Sequence, residues 1–450
     1  MNSTFTSLKI IFLFCLLTSL NAHAQLAKCK GKYFGNIIAN SVHANYTELW
    51  NQITSENASK WQATEPTRGN YNFTGSDVAY NWAKNNGGLF KYHTLMWGAQ
   101  TAGWVPNASS ATIQAAIEPY FKAVADHYDP MGGLYMIDVL NEPINTRVAD
   151  NLKSALTAGY QAEPANANDR NNQYGWAIWC FQLARKHFPN SILMINEYNI
   201  EMNWNNCRAP YIAMSNAIKN APNLTDGKKN LIDGIGLQAH GINDLSAQNF
   251  KACLDEIWNK TGLPMHISEF DAAASPNEGK QRDDYSRLIP VAWEHEHVAG
   301  ITLWGYVQGA TWIPGNRQSG AGGTDSGIMY SNGNDRPAMT WLRQYLNSRP
   351  SLSCCPPPLS FGDCSITAVD NDDDNTSVYS VYPNPFNSKI TVNMESDFTY
   401  TITDLLGNGI ESGTGNNQKE IADNLLPGVY MLRIKNGITT KSFKITKTSN

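Results

Sequence analysis

Between Tyr33 and Asn347, short apolar runs alternate eight times with amphipathic stretches, and this alternation sharply limits the folds open to the chain. The runs are YFGNIIA (33–39), the segment leading into SEN (55–57), LFKYHTLMW (89–97), YMIDVLNEP (135–143), SILMINEYN (191–199), DGIGLQAH (233–240), PMHISEFD (264–271) and AGITLWGY (299–306). Between them lie stretches such as SDVAYNWAKNNGG, TIQAAIEPYFKAVADHY, GWAIWCFQLARKHF, AQNFKACLDEIWNKTG and RDDYSRLIPVAWEHE. Their apolar residues recur three and four apart, as on one face of a helix. Strands alternating with helices make a parallel sheet with crossover connections. Eight repeats over roughly 300 residues predict an α/β fold, a (β/α)8 TIM barrel. Most runs finish in polar or aromatic residues at their carboxyl ends, the rim where such barrels carry functional side chains.

The remainder of the 450 residues predicts three further segments. Residues 1–24 hold one Lys, the apolar stretch Ile10–Leu17 and then Ala22-His23-Ala24, the layout of a signal peptide, with the mature chain expected from Gln25. No later run approaches the length of a membrane-spanning helix, so the barrel is assigned to 25–347 of an exported protein. Residues 348–376 are rich in Pro and Asp and read as a linker. Asp370, Asp372, Asp373 and Asp374 lack the ordered spacing of a calcium loop. Residues 377–450 resume with VYSVYP, KITVNM, YTITDL, GVYMLRIK and KSFKITK, separated by turn signals, which predicts a small all-β sandwich. A formal charge of −5 leaves no electrostatic footprint for nucleic acid or an anionic membrane. With Cys15 in the apolar leader, seven cysteines remain (Cys29, Cys180, Cys207, Cys253, Cys354, Cys355 and Cys364), so at least one thiol is unpaired or pairs between molecules. A staple between Cys29 and Cys354 or Cys355 would join the two ends of the barrel segment.

Two of the apolar runs end on carboxylates, Glu142 and Glu269. Two carboxyl groups at one barrel rim meet the requirement of glycosidic bond cleavage: one proton donor, and one group that attacks or activates water. Asn141, just before Glu142, adds an amide able to bond a sugar hydroxyl. His295-Glu296-His297 lacks the i,i+4 spacing of a zinc helix and reads as solvated surface. The reading calls for no metal and no cofactor.

Six motifs carry a resemblance: SENASKW (55–61), KYHTLMWGAQ (91–100), DVLNEP (138–143), GLQAH (236–240), ISEFD (267–271) and LWGYVQGATW (303–312). Together, in this order, they resemble glycoside hydrolase family ten, the barrel xylanases, over nearly all of 33–347. The resemblance implies that Glu142 is the general acid/base and Glu269 the nucleophile of a retaining mechanism, which needs carboxyl groups about 5–5.5 Å apart. Glu142 must then start protonated and Glu269 stay ionised, with His240 and Asp271 as the expected support beside Glu269. It also implies that Glu56, Asn57 and Lys60 bind sugar next to the cleaved bond, that His93, Gln100 and Gln238 make further contacts, and that Trp97, Trp304 and Trp312 flank the cleft. The chain departs from the family pattern at Gly98, where a His is usual, and at Glu197, where an Asp is usual. The Asn- and Ala-rich segment 145–175 matches no family motif. YPNPF (382–386), LLPGVYMLRI (425–434) and KSFKITK (441–447) resemble the sorting domain of the type nine secretion route.

The resemblance implies a secreted, retaining endo-β-1,4-xylanase that passes through the periplasm. It would be a monomer whose partners are xylan and, through the C-terminal domain, the secretion machinery. The alternatives are a retaining barrel glycanase acting on glucan, mannan or a mixed polymer, and a catalytically weak surface glycan-binding protein.

Overall fold

The computed structural model describes residues 25–313, 325–350 and 380–448, the last stretch without 385, 404–408 and 437–438. The expected leader, most of the expected linker with its Asp cluster, and Cys354, Cys355 and Cys364 lie outside the described residues.

Each of the eight apolar runs becomes a strand: β1 (Tyr33–Ile38), β2 (Gln52–Ser55), β3 (Leu89–Trp97), β4 (Met136–Asn141), β5 (Ile192–Glu197), β6 (Gly234–Leu237), β7 (Met265–Phe270) and β8 (Val298–Leu303). All pair in parallel with their sequence neighbours, and β8 pairs β1 from Tyr33↔Gly300 to Asn36↔Leu303, which closes the barrel. Every residue of β1, β4 and β7 is buried, which explains why these strands read as continuous apolar runs rather than as alternating ones. Side chains aimed into the barrel are nevertheless partly polar. Lys91 and Asp138 pair at 3.2 Å with both side chains fully buried, and Thr302 Oγ1 donates to Gln52 Oε1 at 2.7 Å. Isolated buried charge would be costly, so partnering on this scale is what makes a polar interior tolerable.

The helices Thr74–Asn86, Ser110–Tyr128, Gly175–His187, Ala247–Thr261 and Glu278–Glu294 lie where the periodicity places them, and Pro337–Asn347 follows β8. Ser109 and Ser246 cap two of them by accepting the Thr112 and Asn249 amides. Two further helices, Asp150–Ala162 and Arg208–Asn220, fall outside the stretches named above. The first occupies the Asn- and Ala-rich segment. It buries Leu152, Ala155, Leu156, Gly159 and Tyr160, a helical stripe disguised by its small residues. Gly159 is required there, because a Cβ would stand 2.5 Å from the Trp179 ring.

The C-terminal segment is all-β as expected, with β9 (Ser380–Tyr382), β10 (Ile390–Thr403), β11 (Gly409–Ile421), β12 (Gly428–Asn436) and β13 (Thr439–Lys447). They form one antiparallel sheet of order β11-β10-β12-β13, with β9 paired to the start of β10. The runs KITVNM and YTITDL belong to the single strand β10, whose register shifts between Asn393 and Asp397. The strand β11 was not anticipated because its residues are polar and largely exposed. Phe386, Ile390, Val392, Phe398, Ile402, Leu432, Ile434 and Ile445 give this unit its own core. Cys29 is disulfide-bonded, whereas Cys180, Cys207 and Cys253 are buried free thiols.

Candidate active site

Glu269 lies near the end of β7, only 4 % exposed. Its Oε1 accepts the Asn196 amide at 2.7 Å, and its Oε2 lies 3.2 Å from His240 Nε2. His240 Nδ1 in turn lies 2.7 Å from Asp271 Oδ2, which also accepts the Trp312 indole N–H at 2.5 Å. Burial opposes a charged imidazole, but Asp271 and Glu269 outweigh it and push His240 up to about 10. Protonated at neutral pH, His240 donates from both ring nitrogens. Burial would likewise raise Glu269, yet the His240 hydrogen bond and the neighbouring His93, His240 and Lys91 hold its carboxyl below the usual range. Glu269 is therefore an ionised, nearly water-free carboxylate at the barrel rim.

Glu142 follows β4 directly and holds φ +54°, a left-handed conformation that costs a non-glycine residue about 1 kcal/mol. Its amide donates to the Asn196 carbonyl at 2.7 Å and its carbonyl accepts from the Thr146 amide at 3.1 Å, so the strained turn is held at both ends. The carboxyl is held by neutral groups. Trp97 Nε1 at 2.8 Å and Thr146 Oγ1 at 2.5 Å reach Oε2, and Gln238 Nε2 at 3.1 Å reaches Oε1.

A short amide relay joins the two carboxyl groups. Gln238 Nε2 contacts both Glu142 Oε1 and, at 3.3 Å, Asn141 Oδ1. Asn196 Nδ2 donates to the same Asn141 Oδ1 at 2.8 Å and to Glu269 Oε1. Ser268 Oγ donates to Asn196 Oδ1 at 2.6 Å and fixes the amide's orientation. A Cβ on Gly236 would collide with the Asn196 side chain, so that glycine makes room for the relay.

Both carboxyl groups open into a cleft of about 670 Å³. Glu56, Lys60, His93, Trp97, Asn141, Gln238, His240, Asp271, Trp304 and Trp312 line it. Asn57 and Gln100 are not among its lining residues. Their side-chain oxygens hold the Lys60 ammonium at 3.0 and 2.8 Å, which makes them supports for Lys60. Burial lowers the Lys60 pKa against the pull of Glu269, Glu56 and Glu142, and burial raises that of Glu56. Lys60 Nζ also sits 4.6 Å from the Trp97 ring centroid. His93 Nδ1 lies 2.9 Å from Asp138 Oδ2, a buried acid held low by Lys91 and His93 despite its burial. Asn141 spends its carbonyl on the relay rather than on solvent.

Sequence reasoning missed Asn196, Thr146, Asp138 and the stretch Tyr198–Met202, of which Tyr198, Asn199 and Met202 line the cleft. The NEYN end of β5 was a signal, being one more strand ending in polar residues. The two departures now have physical readings. A Cβ on Gly98 would stand 2.7 Å from the Arg147 carbonyl oxygen, so a His has no room there. Glu197 accepts the Ile144 amide at 2.7 Å, the Asn145 amide and side chain at 3.2 Å each, and the Tyr198 amide at 2.9 Å. It therefore clamps the turn behind Glu142. Burial, reinforced by Glu142 and opposed by those amides, pushes Glu197 up to about 7.

Residues 22–345 match the family described as Glycosyl hydrolase family 10, and residues 380–448 match the Secretion system C-terminal sorting domain. Endo-1,4-beta-xylanase B of Cellvibrio japonicus is 38 % identical over 318 residues, covering 70 % of this chain and 46 % of that protein. The chain thus spans about half the length of that relative. Endo-1,4-beta-xylanase of Agaricus bisporus is 28 % identical over 318 residues, covering 67 % of this chain and 86 % of that protein. Native xylanase 10B from Thermotoga maritima shares the fold with a TM-score of 0.58 at 23 % identity, over 72 % of this chain and 98 % of that one. The chain belongs to glycosyl hydrolase family 10, its barrel followed by a segment that matches a secretion-system C-terminal sorting domain.

Proposed function

We propose that this protein is a secreted endo-β-1,4-xylanase that cleaves the xylan backbone with retention of configuration. Glu269 is the nucleophile and Glu142 the general acid/base. The observation that carries the reading is the contrast between the two carboxyl groups of one cleft. Glu269 is ionised and cation-supported, whereas Glu142 is held by neutral partners. Glu269 attacks the anomeric carbon while the Glu142 proton passes to the leaving oxygen. Glu142 then takes a proton from the water that releases the glycosyl-enzyme. Thr146 suits this cycle, because a hydroxyl can donate to a carboxylate and accept from a carboxylic acid.

In an eight-stranded barrel the loops after β2 and β6 stand on opposite sides of the rim. Glu56 and Lys60 after β2 take the sugar whose anomeric carbon reacts, and Tyr198, Asn199 and Asn243 at the other end meet the leaving chain. Trp304 and Trp312 offer flat faces to sugar C–H surfaces. The protein acts as a monomer. Residues 1–24 take it across the inner membrane into the periplasm, and 348–376 link the barrel to the sorting domain at 377–450, which addresses it to the secretion machinery.

Reducing-sugar release should be measured on xylan, carboxymethyl cellulose and mannan, with the anomer first formed read by proton NMR. Hydrolysis of xylan foremost, giving the β-anomer first, is expected. Preference for cellulose or mannan would overturn the substrate, an α-anomer first would overturn retention, and binding without hydrolysis would overturn catalysis.

A further inference from the structure

Ala239 sits between two side chains with different duties. Gln238 reaches Glu142 at 3.1 Å, and His240 reaches Glu269 at 3.2 Å. Its φ is +58°, in the left-handed region where a Cβ is unfavourable, and it is fully buried. Such a conformation persists only where the surroundings over-determine it. The Gln238 amide is held by the Glu197 carbonyl at 2.9 Å, and the Ala239 amide donates to Glu201 Oε1 at 2.7 Å.

Glu201 is an unusual acceptor. It is 1 % exposed, and its second oxygen, Oε2, is buried with no hydrogen-bond partner among the described residues. Burial pushes its pKa up to about 7, against the bonds it accepts and the nearby His240 and Arg208. Arg208 pins the backbone around it, with Nε on the Ile200 carbonyl at 3.0 Å and Nη2 on the Glu201 carbonyl at 2.9 Å. A buried acid with one unsatisfied oxygen is costly to keep, and its other oxygen holds the Ala239 amide.

We propose that Glu201 is a positioning residue for both catalytic carboxyl groups: its Oε1 fixes the left-handed turn at Ala239 and thereby sets Gln238 on Glu142 and His240 on Glu269. The proposal rests on the roles assigned to Glu142 and Glu269. It requires an acceptor at full reach rather than a charge, since a carboxyl that titrates near neutrality is often uncharged at work. A lost acceptor frees the turn, and both side chains move together. Displacement on the order of 1 Å at a reacting group costs about 100-fold in rate.

Two conservative variants separate reach from charge. In Glu201→Gln the amide oxygen still meets Ala239, and its nitrogen replaces an oxygen that had no partner. In Glu201→Asp the charge is kept but the acceptor is one methylene short. On xylohexaose, Glu201→Gln should keep kcat within about 3-fold of the wild type, while Glu201→Asp should lose about 10- to 100-fold in kcat with KM within about 2-fold. Crystal structures of both variants give a readout independent of turnover: in Glu201→Asp, residue 239 should leave the left-handed region or His240 should withdraw from Glu269. Equal kcat for Glu201→Asp and the wild type, or an undisplaced Gln238–His240 turn in the Asp variant, would overturn the proposal. So would a Gln variant as slow as the Asp variant. A wild type inert on xylohexaose would instead overturn the catalytic reading, and the crystal structures would still decide the positioning claim.

Discussion

Replacing His240 by Asn tests the electrostatics of Glu269, the proposed nucleophile. The Asn amide can occupy the place of Nδ1 and keep Asp271 partnered, but it removes both the cation and the Nε2 donor that lies 3.2 Å from Glu269 Oε2. A hydrogen bond to a charged group contributes about 1.5–3 kcal/mol. At about 1.4 kcal/mol for each pKa unit, its loss should raise the Glu269 pKa by about one to two units. In the wild type, Glu269 is held below its usual range, so the acid limb of kcat/KM against pH lies low. In the variant that limb should move up by about one to two pH units, while the alkaline limb stays in place. The same substitution has a stability signature of opposite direction. His240 is raised from 6.5 to about 10, so its contribution is fully present below about pH 6.5 and is lost as pH rises through about 10. The gap corresponds to an upper figure of about 5 kcal/mol, shared with Asp271 and Glu269. Melting curves between pH 6 and 10 should therefore show a decline in the wild type that the variant lacks. Glu269 runs the other way: its lowered pKa contributes stability above its unfolded value, lost as pH falls through the folded one. An unmoved acid limb would refute the reasoning, as would an alkaline decline of the variant equal to that of the wild type.

Glu269→Ala should abolish hydrolysis, and added azide should restore turnover with inverted product, because the small anion enters the space of the missing nucleophile. Near-normal turnover without azide would remove Glu269 from that role. Glu142→Ala should slow xylan by far more than an aryl xyloside whose leaving group needs no proton, and equal losses on both would show that Glu142 is not the acid. Deleting 377–450 should leave the barrel folded and active, since β8 pairs β1 and closes the sheet without any strand of the tail. The same deletion should stop release into the medium of the native host. A collapsed melting transition, or undiminished activity in the medium, would count against the two halves of that expectation in turn.

The eight strands could be read from sequence because strands buried on both faces are mostly apolar, their few polar residues being those that find partners inside the barrel. Glu142, Glu269, His240 and the cleft tryptophans were readable for a related reason, each ending an apolar run or lying just beyond it. The relay was not. Asn141, Asn196 and Gln238 meet across β4, β5 and the end of β6, and the register Asn141↔Asn196 that brings two of them together is a property of strand pairing, not of local sequence. Asn57 and Gln100 had the residue types of sugar contacts but turn their oxygens to Lys60, a choice made by side-chain geometry. Glu197 read only as a departure from the family pattern and Glu201 was hidden, because a Glu at or beyond a strand end is usually solvated, and only the turns packed over them reveal their burial. β11 was missed for the converse reason, a mostly exposed edge strand having little apolar residue to show.

The two carboxyl groups have one relay between them and yet are treated differently, and that difference follows from which strands supply their partners. Glu269 draws on the protonated His240, so its negative charge is matched by a hydrogen-bonded cation. Glu142 draws on an indole, an amide and a hydroxyl, none of which requires a charge in return. Proton traffic at Glu142 therefore disturbs few other groups, whereas protonating Glu269 would unsettle the His240–Asp271 pair as well. Asn196 and Gln238 couple the sites in position, because both are amides whose hydrogen bonds survive a change of charge at either end. An exchange of roles by simple substitution is thus not open to this scaffold. Giving the end of β4 the support that Glu269 has would need a cation hydrogen-bonded to it, and the side chains bonded to the Glu142 carboxyl are the Trp97 indole, the Thr146 hydroxyl and the Gln238 amide.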